Sequence, residues 1–218
     1  MKLLLASSGL ANEEIITNLE EMVGKPRQEI NVAIINEAMK AEAGDHRWFA
    51  EELTRLMTVL GGNIEFVDLQ AHDLDYVKQR IDLADMVFCF GGNTDYLANT
   101  FIKTGFDKIL PQILAEKVWV GSSAGSCVLC YKEADEVQDA IYKEPREADR
   151  FMEYVPIVFL PHLHGFFQFD TPEVKHASEL TDLPVYALSD DAALKIIDDA
   201  APVVLGSDYI IAERGELK

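Results

Sequence analysis

The chain has 218 residues, of which 49% are apolar and 26% charged, and it carries a formal net charge of -19. That length allows one substantial core and is short for two, so a single domain over residues 1–218 is expected. So acidic a surface repels phosphate backbones and anionic lipid heads, which argues against nucleic-acid and membrane-surface roles.

The first residues, Met1 to Ala11, hold a Leu3-Leu4-Leu5 run too short for the apolar core of a signal sequence, and Glu13-Glu14 follow at once. Lys2 to Ser7 therefore reads as a strand. Asn12 with Glu13 and Glu14 caps a helix that stops by Gly24 and Pro26. The continuous apolar run Ile30 to Asn36 suits a strand covered on both faces. Asp45 opens a helix in which Phe49, Leu53, Leu56 and Leu60 recur at helical spacing before Gly61-Gly62. Asn63 to Leu69 is a third strand, Asp73 to Leu83 a helix, and Asp85 to Phe90 a fourth strand running into Gly91-Gly92-Asn93-Thr94. One helical segment, Asp95 to Ala115, precedes the strand Lys117 to Gly121. This alternation predicts a three-layer α/β fold, a mostly parallel sheet with helices on both faces.

The regularity then lapses. Residues 131 to 153 are dense in Lys, Glu, Asp and Arg and read as a solvated excursion or helix. Ile157 to Leu160 is a short strand ending at Pro161-His162, and Thr171-Pro172-Glu173 starts a helix with Pro at its first position. Pro184 to Leu188 and Ala193 to Ile197 are strands around Ser189-Asp190-Asp191. Val203 to Leu205 with Tyr209 to Ala212 reads as an edge hairpin. Cys89, Cys127 and Cys130, an odd number in apolar surroundings, fit a reducing compartment, and the cytoplasm is expected.

Chemistry concentrates where strands end. Gly121-Ser122-Ser123-Ala124-Gly125 has the Gly-x-Ser-x-Gly spacing that reverses a backbone sharply and presents one hydroxyl above the sheet edge. The Ala124 amide and the positive end of the following helix would face an oxyanion formed at Ser123. In an open parallel sheet, ligands bind at the carboxyl ends of strands. Gly91-Gly92-Asn93 supplies unobstructed amides at such an end, His162 an imidazole and Asp190 a carboxylate. Together they provide the nucleophile, base, orienting acid and oxyanion hole that acyl transfer by serine requires. Taken singly, each also has an ordinary structural reading as a turn, a cap or a core histidine. His164 would point away from His162, and His46, His72 and His176 are expected in exposed helical surroundings. Cys127-Val128-Leu129-Cys130 has redox spacing but falls in an apolar helical run. No metal or nucleotide motif is present, so no cofactor is expected.

Three blocks, Phe90-Gly91-Gly92-Asn93-Thr94-Asp95-Tyr96-Leu97, Gly121-Ser122-Ser123-Ala124-Gly125-Ser126 and Pro161-His162, resemble the dipeptidase E and cyanophycinase family of serine peptidases in order and spacing. The resemblance implies a fold related to class I glutamine amidotransferases, flavodoxin-like in its layering. It implies Ser123 as nucleophile, His162 as general base, and the amides of Gly92 and Ala124 as the oxyanion hole. Length favours the dipeptidase branch. The family's third catalytic residue is usually Glu in a Gly-x-x-Glu turn, and Asp190, a methylene shorter, is the match here. Cleavage of small peptides is expected, with N-terminal aspartate as the family's suggestion for substrate. Other amide hydrolases or acyl transferases on the same scaffold, and a silent ligand-binding relative, are the alternatives. Lys132, Lys143, Arg146 and Arg150 are candidate partners for a substrate carboxylate, and Glu133, Asp135 and Asp139 for its α-ammonium. Oligomeric state is left open by the sequence.

Overall fold

The computed structural model describes residues 1–132, 135–142, 147–148, 150–165 and 169–218, without the side chains of residues 135 and 139. Its first half alternates β1 (Lys2–Ala6), α1 (Glu13–Val23), β2 (Val32–Ile35), α2 (Arg47–Val59), β3 (Ile64–Phe66), α3 (Leu74–Asp82) and β4 (Met86–Cys89). Helices α4 (Thr94–Thr104) and α5 (Phe106–Glu116) then lead to β5 (Val118–Ser122) and the short helix α6 (Ala124–Cys127). The second half holds α7 (Asp135–Ile141), β6 (Val158–Pro161), α8 (Thr171–Glu179), β7 (Val185–Leu188), β8 (Ala193–Ile197), β9 (Val203–Leu205), β10 (Tyr209–Glu213) and β11 (Glu216–Leu217).

Local chemistry accounts for several helix starts. The side chains of Asn12, Asp73 and Asn93 accept the amides of Ile15, Tyr76 and Tyr96 at 3.1, 2.8 and 2.8 Å, satisfying donors that a first turn leaves without partners. The segment expected as one helix over Asp95 to Ala115 is two, because Gly105 sits at φ 78 and ends α4 before α5 begins. Helix α8 starts at Thr171, one residue ahead of Pro172, with Asp170 and Glu173 forming a reciprocal capping box.

The central sheet runs in the order β3-β2-β4-β5-β1-β8-β9; its first five strands are parallel, and β8 and β9 are antiparallel additions. Alternation along each strand divides the core. Leu3, Leu5, Val87, Cys89 and Trp119 face α3, α4 and α5, whereas Leu4, Ala6, Met86, Phe88 and Val120 face α1 and α2. Helices therefore cover both faces.

Two expectations are corrected by the second half. Strands β6 and β7 do not extend the central sheet; they pair in parallel inside a four-stranded sheet of order β11-β10-β7-β6. The expected hairpin of residues 203–212 does not form either. Strand β9 pairs with β8 in the large sheet, while β10 pairs with β7 and β11 in the small one. The small sheet has its own core, in which Val158, Leu160, Val185 and Ala187 pack against Val137 and Ile141 of α7 and Val174 and Ala177 of α8. Its other face, through Phe159 and Leu188, joins the core of the large sheet. The charged stretch 131 to 153 is thus less solvated than its composition suggests, since Val137, Ile141, Phe151 and Met152 are buried. Among the described residues, no helix is long and apolar enough to cross a membrane.

Candidate active site

Strand β5 delivers Ser123 into a backbone conformation, φ 48 and ψ -112, that costs a non-glycine residue about 1–3 kcal/mol. Several bonds hold it there. The Ser123 amide donates to the Ala6 carbonyl at 3.0 Å, the Ser126 hydroxyl donates to the same carbonyl at 2.8 Å, and the amides of Ser126 and Cys127 donate to the Ser123 carbonyl. The Trp119 indole donates to the Gly125 carbonyl at 3.1 Å. Close packing explains the second glycine, because a Cβ at position 125 would lie 2.0 Å from the Cys89 carbonyl oxygen. The end of β4 is equally tight. Gly92 adopts φ 128, and a Cβ there would meet the Ala38 carbonyl at 2.5 Å, so the turn lies flat against residues 38–41. Gly91 stands beside the serine, where an added Cβ would come within 3.0 Å of the Ser123 Cβ. The amide of Ala124 is among those that a helix start leaves without an intrahelical partner.

The small sheet supplies the other half. Because β6 and β7 are parallel neighbours, with Pro161 opposite Leu188, the segments following them emerge side by side. His162 lies just past β6 at φ 66, and its Nε2 is 2.9 Å from the Ser123 Oγ. Its Nδ1 is 2.6 Å from the Asp190 Oδ1. Asp191 turns elsewhere, its carboxylate accepting the Ser189 hydroxyl at 2.5 Å and its carbonyl the Asn12 side-chain amide at 2.6 Å. The hydrogen bond from His162 holds the Asp190 carboxyl below the usual carboxylate range, against an opposing push from partial burial; the Ser7 hydroxyl and the charges of His162 and Arg55 act in the same direction as that bond.

Ser123, His162 and Asp190 are thus brought together, with Gly92 and Ala124 in the turns flanking the serine. The expectation that parallel strand ends of one sheet would bring them side by side is replaced by the meeting of two sheets at one edge. Three further residues escaped the sequence reading. Ser7, fully buried, accepts the His162 amide on its hydroxyl at 2.8 Å and donates to the Asp190 Oδ1 at 3.2 Å. Arg55 of α2 donates to the Ser8 carbonyl at 3.1 Å. Glu52, one turn before it, is buried near Ser122, and burial pushes its carboxyl upward against a smaller pull from the Ser122 hydroxyl. Ser7 was within reach of the reasoning used for the other strand ends, since it directly follows β1.

The remaining candidates lie apart. Arg150 faces Asp107 at 3.4 Å, and His164 lies 3.6 Å from Asp170 and 3.5 Å from Asp208. Lys132 is exposed. Lys143, Arg146 and Glu133, and the side chains of Asp135 and Asp139, fall outside the described residues. The cysteines are buried thiols, and burial pushes Cys89 well above its ordinary value; Cys127 and Cys130 donate to backbone carbonyls of Phe159 and Ser126. Among the described residues, no group of three or more His, Cys, Asp or Glu is placed to hold a metal ion.

The fold is the α/β arrangement of class I glutamine amidotransferase-like proteins. Two solved structures share it at a TM-score of 0.70. One is a Listeria monocytogenes EGD-e protein provisionally named peptidase E, 22% identical, covering 95% of this chain and 98% of its own. The other is a peptidase from an acI-B1 Actinobacterium, 18% identical, covering 100% and 92%. The profile of Peptidase family S51 matches residues 3–204, and the chain belongs to that family. Similar relatives are the uncharacterized peptidase Lin0382 of Listeria innocua, 26% identical over 70% of this chain and 74% of the relative, and the uncharacterized peptidase PM1590 of Pasteurella multocida, 23% identical over 83% and 87%. The chain is a peptidase.

Proposed function

We propose that this peptidase works through a serine acyl-enzyme, and the observation that carries the reading is the 2.9 Å approach of the His162 Nε2 to the Ser123 Oγ with Asp190 on the far ring nitrogen. An Nδ1–H donated to the Asp190 carboxylate leaves Nε2 as the acceptor for the serine hydroxyl. Ser123 attacks the scissile carbonyl while its proton passes to His162. The developing oxyanion is met by the amides of Gly92 and Ala124 and by the start of α6. His162 then protonates the leaving amine, and in the second half it deprotonates a water that attacks the acyl group on Ser123. Asp190 stays ionised throughout, steadying the imidazolium.

Short peptides with a free amine are the proposed substrates, with N-terminal aspartate as the preferred residue. Cytoplasmic operation belongs to the same proposal, supported by three cysteines held as thiols inside the core. Ser123→Ala is expected to fold and to lose activity by several orders of magnitude, about a million-fold where a comparable nucleophile has been removed. A serine-directed phosphonate should label the wild type and leave the variant unlabelled. Wild-type turnover by Ser123→Ala would end the serine mechanism. Rates on Asp-Leu, Ala-Leu and N-acetyl-Asp-Leu address the substrate: efficient cleavage of the acetylated peptide rules out the exopeptidase reading, and equal rates on the first two rule out the aspartate preference.

A further inference from the structure

The geometry points to Ser7 as a positioning residue of the reaction: one buried hydroxyl at the end of β1 ties the base-bearing segment to the acid and shares the Asp190 oxygen that faces the imidazole. The inference rests on the serine reading above. A hydroxyl offers one donor and two acceptor sites. Ser7 uses the donor on the Asp190 Oδ1 at 3.2 Å and accepts the His162 amide at 2.8 Å, while its own amide donates to the Ala192 carbonyl at 3.1 Å. One residue before it, the Ala6 carbonyl receives the Ser123 amide and the Ser126 hydroxyl. Two consecutive residues at one strand end therefore hold the nucleophile elbow, the base and the acid, which come from β5, β6 and the segment between β7 and β8.

His162 follows β6 of the small sheet and Asp190 lies between β7 of the small sheet and β8 of the large one, whereas Ser123 follows β5 of the large sheet. Their alignment depends on how the two sheets register against each other. Ser7 is a direct hydrogen-bonded connection across that junction, and it sits at a left-handed backbone position of His162, φ 66, that needs an external partner for its amide. Both donors to Asp190, the imidazole Nδ1 and the Ser7 hydroxyl, converge on the same oxygen. The hydroxyl thus draws off part of the negative charge that the imidazole would otherwise experience. Among the described residues, Arg55 and Glu52, both from α2, also place charge near this pair.

The test uses the full-length enzyme, with the rate of covalent labelling by a fluorophosphonate followed from pH 5 to 9 beside kcat and KM on a cleaved dipeptide. Ser7→Ala removes the shared donor and concentrates the Asp190 charge on the imidazole, favouring its protonated form. The acid limb of labelling should move up, with kcat reduced about 10–100-fold, in the range that a misplacement of catalytic groups produces, and KM changed less than about threefold. Ser7→Thr, which keeps the hydroxyl, should return the limb to its wild-type position. A residue with a merely structural role would lower the melting temperature and leave the limb where it was. An acid limb that stays in place or moves down in Ser7→Ala, or kcat within about twofold of wild type, overturns the inference while leaving the serine mechanism intact. If the wild type takes no label at Ser123, the serine reading itself fails and this inference falls with it.

Discussion

Glu52 shows what burial does to one side chain. Its Oε1 has no hydrogen-bond partner among the described residues, and Gly9 packs so closely that a Cβ there would lie 2.3 Å from that oxygen. Burial raises its carboxyl pKa above the ordinary 4.5. A carboxyl whose folded value lies above its unfolded one is no burden below about pH 4.5 and costs stability as pH rises through the folded value. Glu52→Gln is therefore expected to melt higher than wild type at pH 7 and to lose that advantage near pH 4. In a chain of this size a gain of 1 kcal/mol corresponds to roughly 2–4 °C. Equal melting temperatures at pH 7 would show that burial of the Glu52 carboxyl carries no cost in stability. Asp190 has the opposite sign: its depressed carboxyl contributes stability above the ordinary carboxylate range, lost as pH falls through its folded value.

The turn from β5 into α6 is the element on which the chemistry depends, and its tolerance is narrow. The Gly125 Cα faces the Cys89 carbonyl so closely that Gly125→Ala must push α6 away from β4. Overpacking of this kind costs about 1–3 kcal/mol. The displaced elbow carries Ser123 and the Ala124 amide with it, and misplacement by about 1 Å can cost about 100-fold in rate. Denaturant unfolding together with turnover on one peptide checks both numbers; a variant with wild-type activity would mean that the helix start is not set by this contact. The Trp119 indole N–H donates to the carbonyl of Gly125 itself. The start of α6 is thus held to β4 by close backbone approach and to β5 by one side-chain bond.

At the scale of the whole molecule, a charge of -19 governs how substrate arrives. Long-range repulsion slows the approach of anions and is screened within about 8 Å at physiological ionic strength. For a peptide of net negative charge, kcat/KM is expected to rise several-fold between about 10 mM and 500 mM salt, while a zwitterionic dipeptide should change little. Initial rates across that series provide the check, and a fall for the anionic peptide would reveal a local cationic field at the site. The two sheets share one core through Phe159 and Leu188, so the site is built at a junction rather than at the edge of one layer.

The sequence by itself determined the parts that depend on near neighbours. Alternating apolar runs and helical repeats defined β1 to β5 and the helices between them, except that the segment read as one helix over Asp95 to Ala115 is two. Asn12 and Asp73 marked helix starts through bonds that span only three residues. The glycine spacing around Ser123 marked the elbow, since sharp reversal is a local requirement. Ser123, His162 and Asp190 could each be picked out as polar residues at strand ends. Which sheet a strand joins was decided only in the tertiary structure, because period-two alternation says that a strand has two faces and not what will cover them. Residues 158–161 joined the small sheet because α7 and α8 cover Val158 and Leu160, and the helical period of α7 is masked in sequence by the charges around it. Strands β9 and β10, adjacent in the chain, found partners in different sheets for the same reason. Ser7 acquires its meaning there as well: it lies 155 residues from His162 and 183 from Asp190, and only the meeting of two sheets puts its hydroxyl between them.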